Sequence, residues 1–459
     1  MTEIVPFTPP SGGIDAILVA LSQQDPVLPA FVYERLDPIS RGPLTTWIGL
    51  RGQEEILEPR SGAFRSLREA LGSAEQLGEE ALTFALIGYP GRTDFSGPDG
   101  NAGPDGNAGP DGNAGRDGNA GRDRFLVAHE YLRIDHRRQE GVIVRLTEPD
   151  APDWPRAQDW ARLVETARPA MPPAQAQPEE PYRYDWSPAI TVKDFARAVE
   201  GLQEESGADE HAGAVLSVRV SSTLPSEPLE SYRCLRAINP STCMFLLQTN
   251  EFALWGSTSL ALVEIADRHL LAQTDGATVR VPDLPAGQRF EWTPTAKENY
   301  EYDVVADALR EDLAPVTSPG SLRFTREREQ RIFFGLAHLF AEAQGELGDG
   351  VDDVAVVEAL FPHGATVGHP RKDALGLIDR LEPIARGPFS GAIGVFEARG
   401  VTDVASVTRS IWTTPDGTFT QAGAKVVPDS IARQEYEECV IKTKAVRDSA
   451  RPAQKGHRP

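Results

Sequence analysis

Helix-like and strand-like segments alternate irregularly along this chain, and their order constrains the fold more than any other feature of the sequence. Apolar residues at helical spacing predict helices, and runs of β-branched and aromatic residues between turn residues predict strands. The predicted helices span 191–205, 229–238, 296–313, 326–344 and 431–445, and the predicted strands span 214–222, a hairpin at 243–257 and a meander at 391–427. Because the strand clusters are interrupted by helices without a regular βαβ repeat, the sequence predicts an α+β fold.

The charge and cysteine content of the chain exclude several classes of protein. The 459 residues include 46 Lys and Arg against 68 Asp and Glu, which gives a formal net charge of −22. Such an acidic surface repels nucleic acid phosphates and anionic lipids. The three cysteines lack metal-ligand spacing and suit a reducing compartment. No basic leader and no apolar stretch of roughly 18 residues is present, so we expect a cytoplasmic protein that binds neither nucleic acid nor membrane.

Residues 97–123 form nine Gly-X-Y triplets, which is the period of collagen. Proline fills position X only three times and never fills position Y, so we expect a disordered hydrophilic insertion, with a trimerising stalk as the alternative. The flanking segments 84–95 and 124–136 both have the composition of strands. The insertion is therefore expected to decorate a hairpin or loop of one domain.

A second compositional boundary lies between Pro169 and Pro188, where six prolines interrupt any periodic apolar pattern. The sequence thus predicts four regions. They are an N-terminal subdomain at 1–168, a proline-rich linker at 169–188, a main region at 189–446 and a disordered tail at 447–459.

The last predicted helix places charged residues on one face. Glu435, Glu438 and Lys442 follow one another at positions i, i+3 and i+7, which brings two carboxylates and one ammonium together. Two close carboxylates favour a shared cation. A solvated face with salt bridges has the same spacing, so the pattern alone leaves both interpretations open.

A second acidic helix at 296–313 carries Glu298, Glu301 and Asp312 beside an apolar stripe. A few carboxylates together with water and a substrate carboxylate are a typical environment for Mg²⁺. His338 lies in a predicted apolar helix, where it is either a hydrogen-bonded core residue or a general acid or base. No GxGxxG, P-loop, HExxH or GxSxG motif occurs.

Four blocks between residues 361 and 445 carry a resemblance to a known family. They read FPHGATVGHPRKDALGLIDRLEPIARGPFSGAIG, VASVTRS, QAGAKVVPDS and EYEECVIK. In this order they resemble the chorismate-binding family, which includes anthranilate synthase component I, aminodeoxychorismate synthase component I, and the isochorismate and salicylate synthases. Agreement covers most of residues 190–445. The resemblance implies an anthranilate synthase component I-like fold, with two antiparallel sheets flanked by helices and a central cleft.

The resemblance also implies roles for particular residues. It implies that Mg²⁺ is the cofactor and that His338 lies near the ring carboxylate and assists loss of the pyruvyl group. Chorismate is a dianion, so an acidic protein needs local cations and N–H donors to bind it. The implied metal ligands are Glu301, Glu435 and Glu438, and the implied substrate-binding residues are Arg409, Lys442, Thr278 and the backbone around Gly423.

At two positions the chain departs from the family's catalytic residues. Gly213 occupies the place of a lysine that acts on water, or of a glutamine in members that use ammonia, and Leu260 occupies the place of a glutamate that acts as general acid. Smaller departures put Val279, Lys425 and Phe389 where the family has arginine, glycine and tyrosine. Loss of a general acid typically lowers a rate by about 10²–10⁴.

The resemblance therefore implies a Mg²⁺-dependent, chorismate-utilising lyase of the anthranilate synthase component I type with altered chemistry. An isochorismate or salicylate synthase-like enzyme and a catalytically impaired chorismate-binding paralogue remain alternatives, and a collagen-like interaction protein ranks last. The sequence encodes no amidotransferase domain, so ammonia would come from solution or from a glutamine amidotransferase subunit. The nucleophile stays open between nitrogen and water.

Overall fold

A computed structural model of the chain describes residues 2–25, 27–38, 40–57, 62–89, 121–147, 154–169, 184–206, 213–282, 290, 292–333 and 336–452. Most of the Gly-X-Y triplets, most of the proline-rich linker and the last seven residues of the predicted tail lie outside these ranges.

The described residues form helices and strands in mixed order. The helices are α1 (Gly13–Ser22), α2 (Ala63–Glu75), α3 (Ala157–Glu165), α4 (Val192–Ser206), α5 (Pro228–Ile238), α6 (Ala296–Leu313), α7 (Asp353–Leu360), α8 (Gly364–Val367), α9 (Arg371–Leu381), α10 (Ala432–Lys442) and α11 (Lys444–Ser449).

The strands are β1 (Glu3–Phe7), β2 (Phe31–Leu36), β3 (Pro43–Leu57), β4 (Leu82–Ile87), β5 (Asp123–Asp135), β6 (Glu140–Arg145), β7 (Ser187–Pro188), β8 (Gly213–Ser222), β9 (Cys243–Gln248), β10 (Ala253–Thr258), β11 (Ala261–Ala266), β12 (His269–Arg280), β13 (Arg323–Phe333), β14 (Leu336–Glu346), β15 (Gly368–His369), β16 (Ala392–Glu397), β17 (Val401–Ser406), β18 (Ser410–Thr414) and β19 (Gly417–Val426).

The strands pair antiparallel in two sheets that share one strand. The first sheet has the order β1-β6-β5-β3-β2-β9-β10-β18-β19-β8, with β7 and β15 also on β8. The second sheet has the order β5-β4-β16-β17-β11-β12-β14-β13. The N-terminal half of β5 pairs with β4 and its C-terminal half pairs with β6. The predicted α+β class is confirmed, and the two expected sheets form one hydrogen-bonded network.

Strands from the N-terminal third belong to both sheets. β2 pairs with β9 in the first sheet, and β4 pairs with β16 in the second. Strands from before and after the proline-rich segment are therefore hydrogen-bonded to each other in both sheets. β4 and β5 are antiparallel neighbours, and the Gly-X-Y run connects them as its strand-like flanks predict. The expected start of the tail at 447 falls inside α11, and Ala450 is buried.

The prediction of a helix at 326–344 is wrong. This segment forms most of the antiparallel pair β13 and β14. Its arginine, glutamate, alanine and leucine residues favour helices as isolated residues, but cross-strand pairing decides the outcome here. The predicted meander at 391–427 also divides, because β17 pairs with β11 in the second sheet whereas β18 pairs with β10 in the first.

Three cysteines, all buried, are free of disulfides. Within the described ranges, no helix combines the length and the apolar character needed to cross a membrane.

A buried ion pair holds the end of α9 against β8. Glu382 lies 2.7 Å from Arg386, whose side chain is 1% exposed. The carboxylate also accepts hydrogen bonds from the backbone N–H and the hydroxyl of Ser217, each at 2.8 Å. Arg386 donates further hydrogen bonds to the carbonyl oxygens of Val215 and Thr366. This network therefore joins β8, α8 and α9.

Replacing Arg386 by methionine should lower the free energy of unfolding by about 3–5 kcal/mol, because it leaves the buried Glu382 carboxylate without its cation. Arg433 offers a matched control, since it also forms an i,i+4 ion pair but with side chains that are 79% and 55% exposed. Arg433→Met should cost no more than about 1 kcal/mol. Urea denaturation of both variants measures the difference, and equal losses would contradict the role given to Arg386.

Candidate functional site

A cavity of about 310 Å³ lies between the two sheets, with residues of both in its wall. β8 and β19 contribute from the first sheet, β12 and β14 contribute from the second, and α6, α8 and α10 also line it. Eight of the ten predicted site residues line this cavity, namely Leu260, Glu301, His338, Arg409, Gly423, Glu435, Glu438 and Lys442.

The last long helix presents its charged face to the cavity, as its spacing predicts. Glu435, Glu438 and Lys442 all lie on α10 and line the wall. The Lys442 ammonium is 2.6 Å from Glu438 Oε1, and it donates a hydrogen bond to the carbonyl oxygen of Gly423 at 3.0 Å. Lys442 therefore ties α10 to β19 and holds one fixed positive charge at the cavity.

Glu301 enters from α6, which packs closely on β12. A Cβ atom at Gly276 of β12 would lie 2.9 Å from the Cα of Tyr302 and 3.0 Å from the carbonyl oxygen of Glu301. Only glycine lets the helix approach the strand to this distance. This close packing places Glu301 in the cavity wall.

The other two acidic residues noted on α6 have structural partners. Glu298 completes a capping box, in which its carboxylate accepts from the Thr295 N–H at 2.6 Å and its own N–H donates to the Thr295 hydroxyl. Asp312 pairs with Arg371. Burial raises the pKa of Asp312 to about 6, while the neighbouring Arg371 acts in the opposite direction. Neither residue lines the cavity.

The three predicted metal ligands share the cavity but are not drawn into a tight cluster. Among the described residues, no group of three or more His, Cys, Asp or Glu side chains converges closely enough to hold a metal ion. Mg²⁺ is commonly held by only one or two carboxylates, with water and substrate oxygens completing its shell. Glu301, Glu435 and Glu438 therefore match Mg²⁺ in the chemical type of their donor atoms, and they lie in the wall of one cavity.

His338 is buried on β14, opposite Thr278 of β12 in the strand register. Burial lowers the pKa of His338 to about 4, Asp275 opposes this shift, and the positive charges of Arg409 and Lys442 add to it. The imidazole is therefore neutral near pH 7 and able to accept a proton or a hydrogen bond. The side chain of Thr278 lies outside the described part of the structure.

Arg409 lies in the connection between β17 and β18, with a positive φ of 39°. Its Nη1 donates to the hydroxyl of Ser259 at 3.2 Å. Burial lowers the pKa of Arg409, whereas Asp275 raises it. An arginine remains charged under any ordinary condition, so the cavity holds a second fixed cation beside Lys442.

The two positions where catalytic residues are replaced differ in their placement. Leu260 lines the cavity and is 4% exposed, so its apolar side chain faces the site without any group that transfers a proton. Gly213 is the first residue of β8 and pairs with His369 of β15. Gly213 does not itself line the cavity.

Sequence reasoning did not assign to the site three ionisable residues that line the cavity, namely Asp275, His369 and Lys425. Asp275 lies on β12, His369 on β15 and Lys425 on β19. No spacing pattern connects them because they come from different elements. Lys425 had one signal, since it replaces a glycine of the family's turn.

Comparison with protein families gives an independent result. The family model described as chorismate binding enzyme matches residues 103–448. The anthranilate synthase component 1 of Streptomyces coelicolor is 31% identical over 353 residues, which cover 72% of this chain and 67% of that protein. The aminodeoxychorismate synthase component 1 of Bacillus subtilis is 29% identical over 332 residues, covering 70% of this chain and 69% of that protein.

Solved structures show the same fold at lower identity. The menaquinone-specific isochorismate synthase of Escherichia coli superposes with a TM-score of 0.71 at 17% identity, covering 98% of this chain and 94% of that chain. Anthranilate synthase component I of Streptococcus pneumoniae gives a TM-score of 0.64 at 21% identity, covering 91% and 92% of the two chains.

Two buried histidines should make the protein less stable as the pH falls from about 6.5 to about 4. Burial lowers the pKa of both His338 and His363 to about 4. Below pH 6.5 the unfolded chain takes up protons that the folded chain does not, so the free energy of unfolding falls by roughly 2 kcal/mol per histidine between pH 7 and pH 5.

Urea unfolding of His338→Gln at these pH values should therefore show a smaller loss than the wild type. His269→Gln is the control, because the side chain of His269 is 68% exposed, and it should leave the loss unchanged. An unchanged loss in His338→Gln would contradict a buried neutral imidazole.

Proposed function

Because the chain belongs to the chorismate-binding enzyme family, we propose that it is a Mg²⁺-dependent lyase that uses chorismate, of the anthranilate synthase component I type. One observation carries the proposal. Glu301, His338 and Arg409 come from separate elements, and they line the same cavity as the charged face of α10. This convergence brings together all the charged residues that the family resemblance implies.

The cavity combines positive and negative groups in a way that suits a dianion held with a divalent cation. Arg409 and Lys442 supply fixed positive charge in a protein whose net charge is −22. Both cations act on His338, so they lie near the imidazole. A carboxylate bound beside them would form charge-assisted hydrogen bonds, which are about twice as strong as neutral ones.

Glu301, Glu435 and Glu438 are the residues that would hold Mg²⁺. When bound, the ion would neutralise a substrate carboxylate and polarise it as a Lewis acid. Glu438 lies on the cavity wall, where it forms an ion pair with Lys442. An ionised carboxylate is the form that binds a divalent cation.

His338 is the residue best placed to move a proton during loss of the pyruvyl group. Its imidazole is neutral at pH 7 and lies in the cavity wall close to both cations. Leu260 cannot donate a proton to a departing hydroxyl group. Departure of a ring hydroxyl is therefore expected to be slower than it would be with a carboxylic acid at position 260.

Two alternative functions follow from specific observations. An isochorismate or salicylate synthase-like activity is favoured by Lys425 in the cavity wall, because a lysine at this place suits water as the nucleophile. A catalytically impaired paralogue that binds chorismate is favoured by Leu260. If ammonia is the nucleophile, a glutamine amidotransferase subunit or free ammonia would supply it.

Purified protein with Mg²⁺ and chorismate should release pyruvate, measured by coupling to lactate dehydrogenase with and without ammonium. Glu438→Gln should raise the Mg²⁺ concentration needed for half-maximal rate on the order of 10–100-fold, since lost ligand interactions have effects of at least this size. Glu437→Gln is the matched control on the same helix, because Glu437 faces Arg433 and does not line the cavity. Absence of pyruvate and of chorismate consumption under all conditions would contradict the proposed activity.

Restoring an acid at position 260 tests whether Leu260 limits the rate. Leu260→Glu should increase chorismate turnover at least about tenfold, because a general acid typically contributes 10²–10⁴. Leu260→Gln has nearly the same shape but donates no acidic proton, and it should give no increase. Equal rates in the two variants would show that a missing acid does not limit turnover.

A further inference from the structure

The part of the cavity wall beside Arg409 carries hydroxyl groups and an apolar side chain in place of an acid. Ser259 is 3% exposed, and its hydroxyl accepts a hydrogen bond from Nη1 of Arg409 at 3.2 Å. Leu260 follows it and is 4% exposed. Ser259, Leu260, Thr408 and Arg409 all line the cavity. A serine or threonine hydroxyl donates a hydrogen bond without ionising, so a ring against this wall meets hydrogen-bond donors and apolar surface.

Hydrogen bonds fix this part of the wall. The hydroxyl groups of Thr258 and Thr408 are hydrogen-bonded to each other at 2.7 Å. The backbone N–H of Leu260 donates to the same Thr258 hydroxyl at 3.2 Å. Because the Ser259 oxygen accepts from Arg409, its own O–H remains as a donor. The wall therefore offers a hydrogen bond to a hydroxyl group of the substrate at a defined place.

Asp275 is a carboxylate that acts on two residues near this wall. Its negative charge raises the pKa of both Arg409 and His338, against the effect of burial. A carboxylate in its charged form has no proton to give to a leaving group. Asp275 is thus the counter-ion of Arg409, and it does not replace the acid that is missing at position 260.

The end of β8 offers only weak bases to a water molecule. A Cβ atom on Gly213 would lie 2.8 Å from the carbonyl oxygen of Val426, so no side chain enters here unless β19 moves. Lys425 acts on His369 as a positive charge, and in that form the amine takes no proton from water. Burial and Lys425 both lower the pKa of His369, which makes its imidazole a poorer proton acceptor.

The cavity therefore suits one of two reactions of an enolpyruvyl ring better than the other. Exchange of the ring hydroxyl needs an acid at the departing oxygen and, when water attacks, a base. Loss of the pyruvyl group needs neither of these, since only a proton from the ring has to move. His338, which carries that proton in the proposed function, lines the same cavity.

We propose that the enzyme eliminates pyruvate from chorismate directly, so that the ring hydroxyl stays in place and the product is 4-hydroxybenzoate. The inference rests on the proposed function, because it assumes that chorismate binds in this cavity beside His338. Ser259 holds the ring hydroxyl by a hydrogen bond, and Leu260 covers the same part of the ring with apolar surface. Neither water nor ammonia is added to the ring.

The step balances without any oxidant or reductant. The C–H bond breaks at the ring carbon that bears the hydroxyl, and His338 takes the proton. The electron pair of that bond forms the third double bond of the ring, while the bond between the neighbouring ring carbon and the ether oxygen breaks. The ether oxygen keeps that second electron pair as the enolate of pyruvate. The methylene carbon of the enolate then takes the proton from His338, which completes pyruvate.

The experiment uses the full chain with Mg²⁺ and chorismate in H₂¹⁸O that contains ¹⁵N-ammonium, and mass spectrometry identifies the products. We expect equal amounts of pyruvate and 4-hydroxybenzoate, with neither ¹⁸O nor ¹⁵N in the ring product. A sample without protein corrects for spontaneous decay of chorismate. His338→Gln should lower kcat on the order of 10²–10⁴-fold. His269→Gln is the control, because His269 does not line the cavity.

Variants of the two wall residues test what decides the reaction. Ser259→Ala should raise KM for chorismate about 2–10-fold, the effect of one hydrogen bond, and still give unlabelled product. The extra turnover expected of Leu260→Glu should appear as ring product that carries ¹⁵N or ¹⁸O, because the new acid lets the ring hydroxyl leave. Leu260→Gln should form only the unlabelled product.

Ring product from the wild type that carries ¹⁸O or ¹⁵N would overturn direct elimination and leave the proposed use of chorismate standing. Unlabelled extra product from Leu260→Glu would overturn the role given to Leu260. Unchanged KM and kcat in Ser259→Ala would do the same for Ser259, and unchanged kcat in His338→Gln would overturn the proton route. A wild-type protein that consumes no chorismate would contradict the proposed function and the inference together.

Discussion

The cavity depends on one buried guanidinium, that of Arg386. It donates to the carbonyl oxygens of Val215 on β8 and Thr366 on α8, and it pairs with Glu382 beside α9. Val215 and Thr366 both line the cavity. A charge removed from water is stable only when its partners satisfy every donor, so the positions of these three elements are linked. The Arg386 contacts therefore hold β8, α8 and α9 together at this part of the cavity wall.

The cavity places positive charge close together within an acidic protein. The net charge of −22 disfavours a dianion at long range. Inside the cavity, Arg409 and Lys442 lie near the buried His338 and Lys425 lies near the half-buried His369, while four carboxylates line the same wall. Electrostatic interactions are stronger where water is excluded. Cations placed in this cavity therefore attract an anion more strongly than the same charges would on the open surface.

Much of this arrangement could be predicted from sequence, but only where one element carries the information. The charged face of α10 followed from spacing within eleven residues, and the ordered blocks at 361–445 pointed to the family. His338 lines the same cavity as the other predicted site residues, but it lies on a strand and not on the predicted helix. Ala337, Leu339 and Ala341 are buried along with His338 on β14, so the strand shows no polar alternation, and a short apolar run of this kind fits either structure.

Residues brought together by pairing between distant strands could not be found in this way. Lys425, His369 and Asp275 meet at the cavity because β19, β15 and β12 adjoin it, and no local pattern encodes that pairing. The sequence also gave no sign that Gly213 would sit under the carbonyl oxygen of Val426, where only glycine fits without movement of β19.

The change at position 213 is thus coupled to the register of β8 and β19. Here the facing strand carries a lysine whose side chain passes the vacant position, and a histidine lies across from it. Both groups line the cavity with the three carboxylates and the two other cations. The end of β8 therefore carries ionisable groups from β15 and β19 beside the glycine.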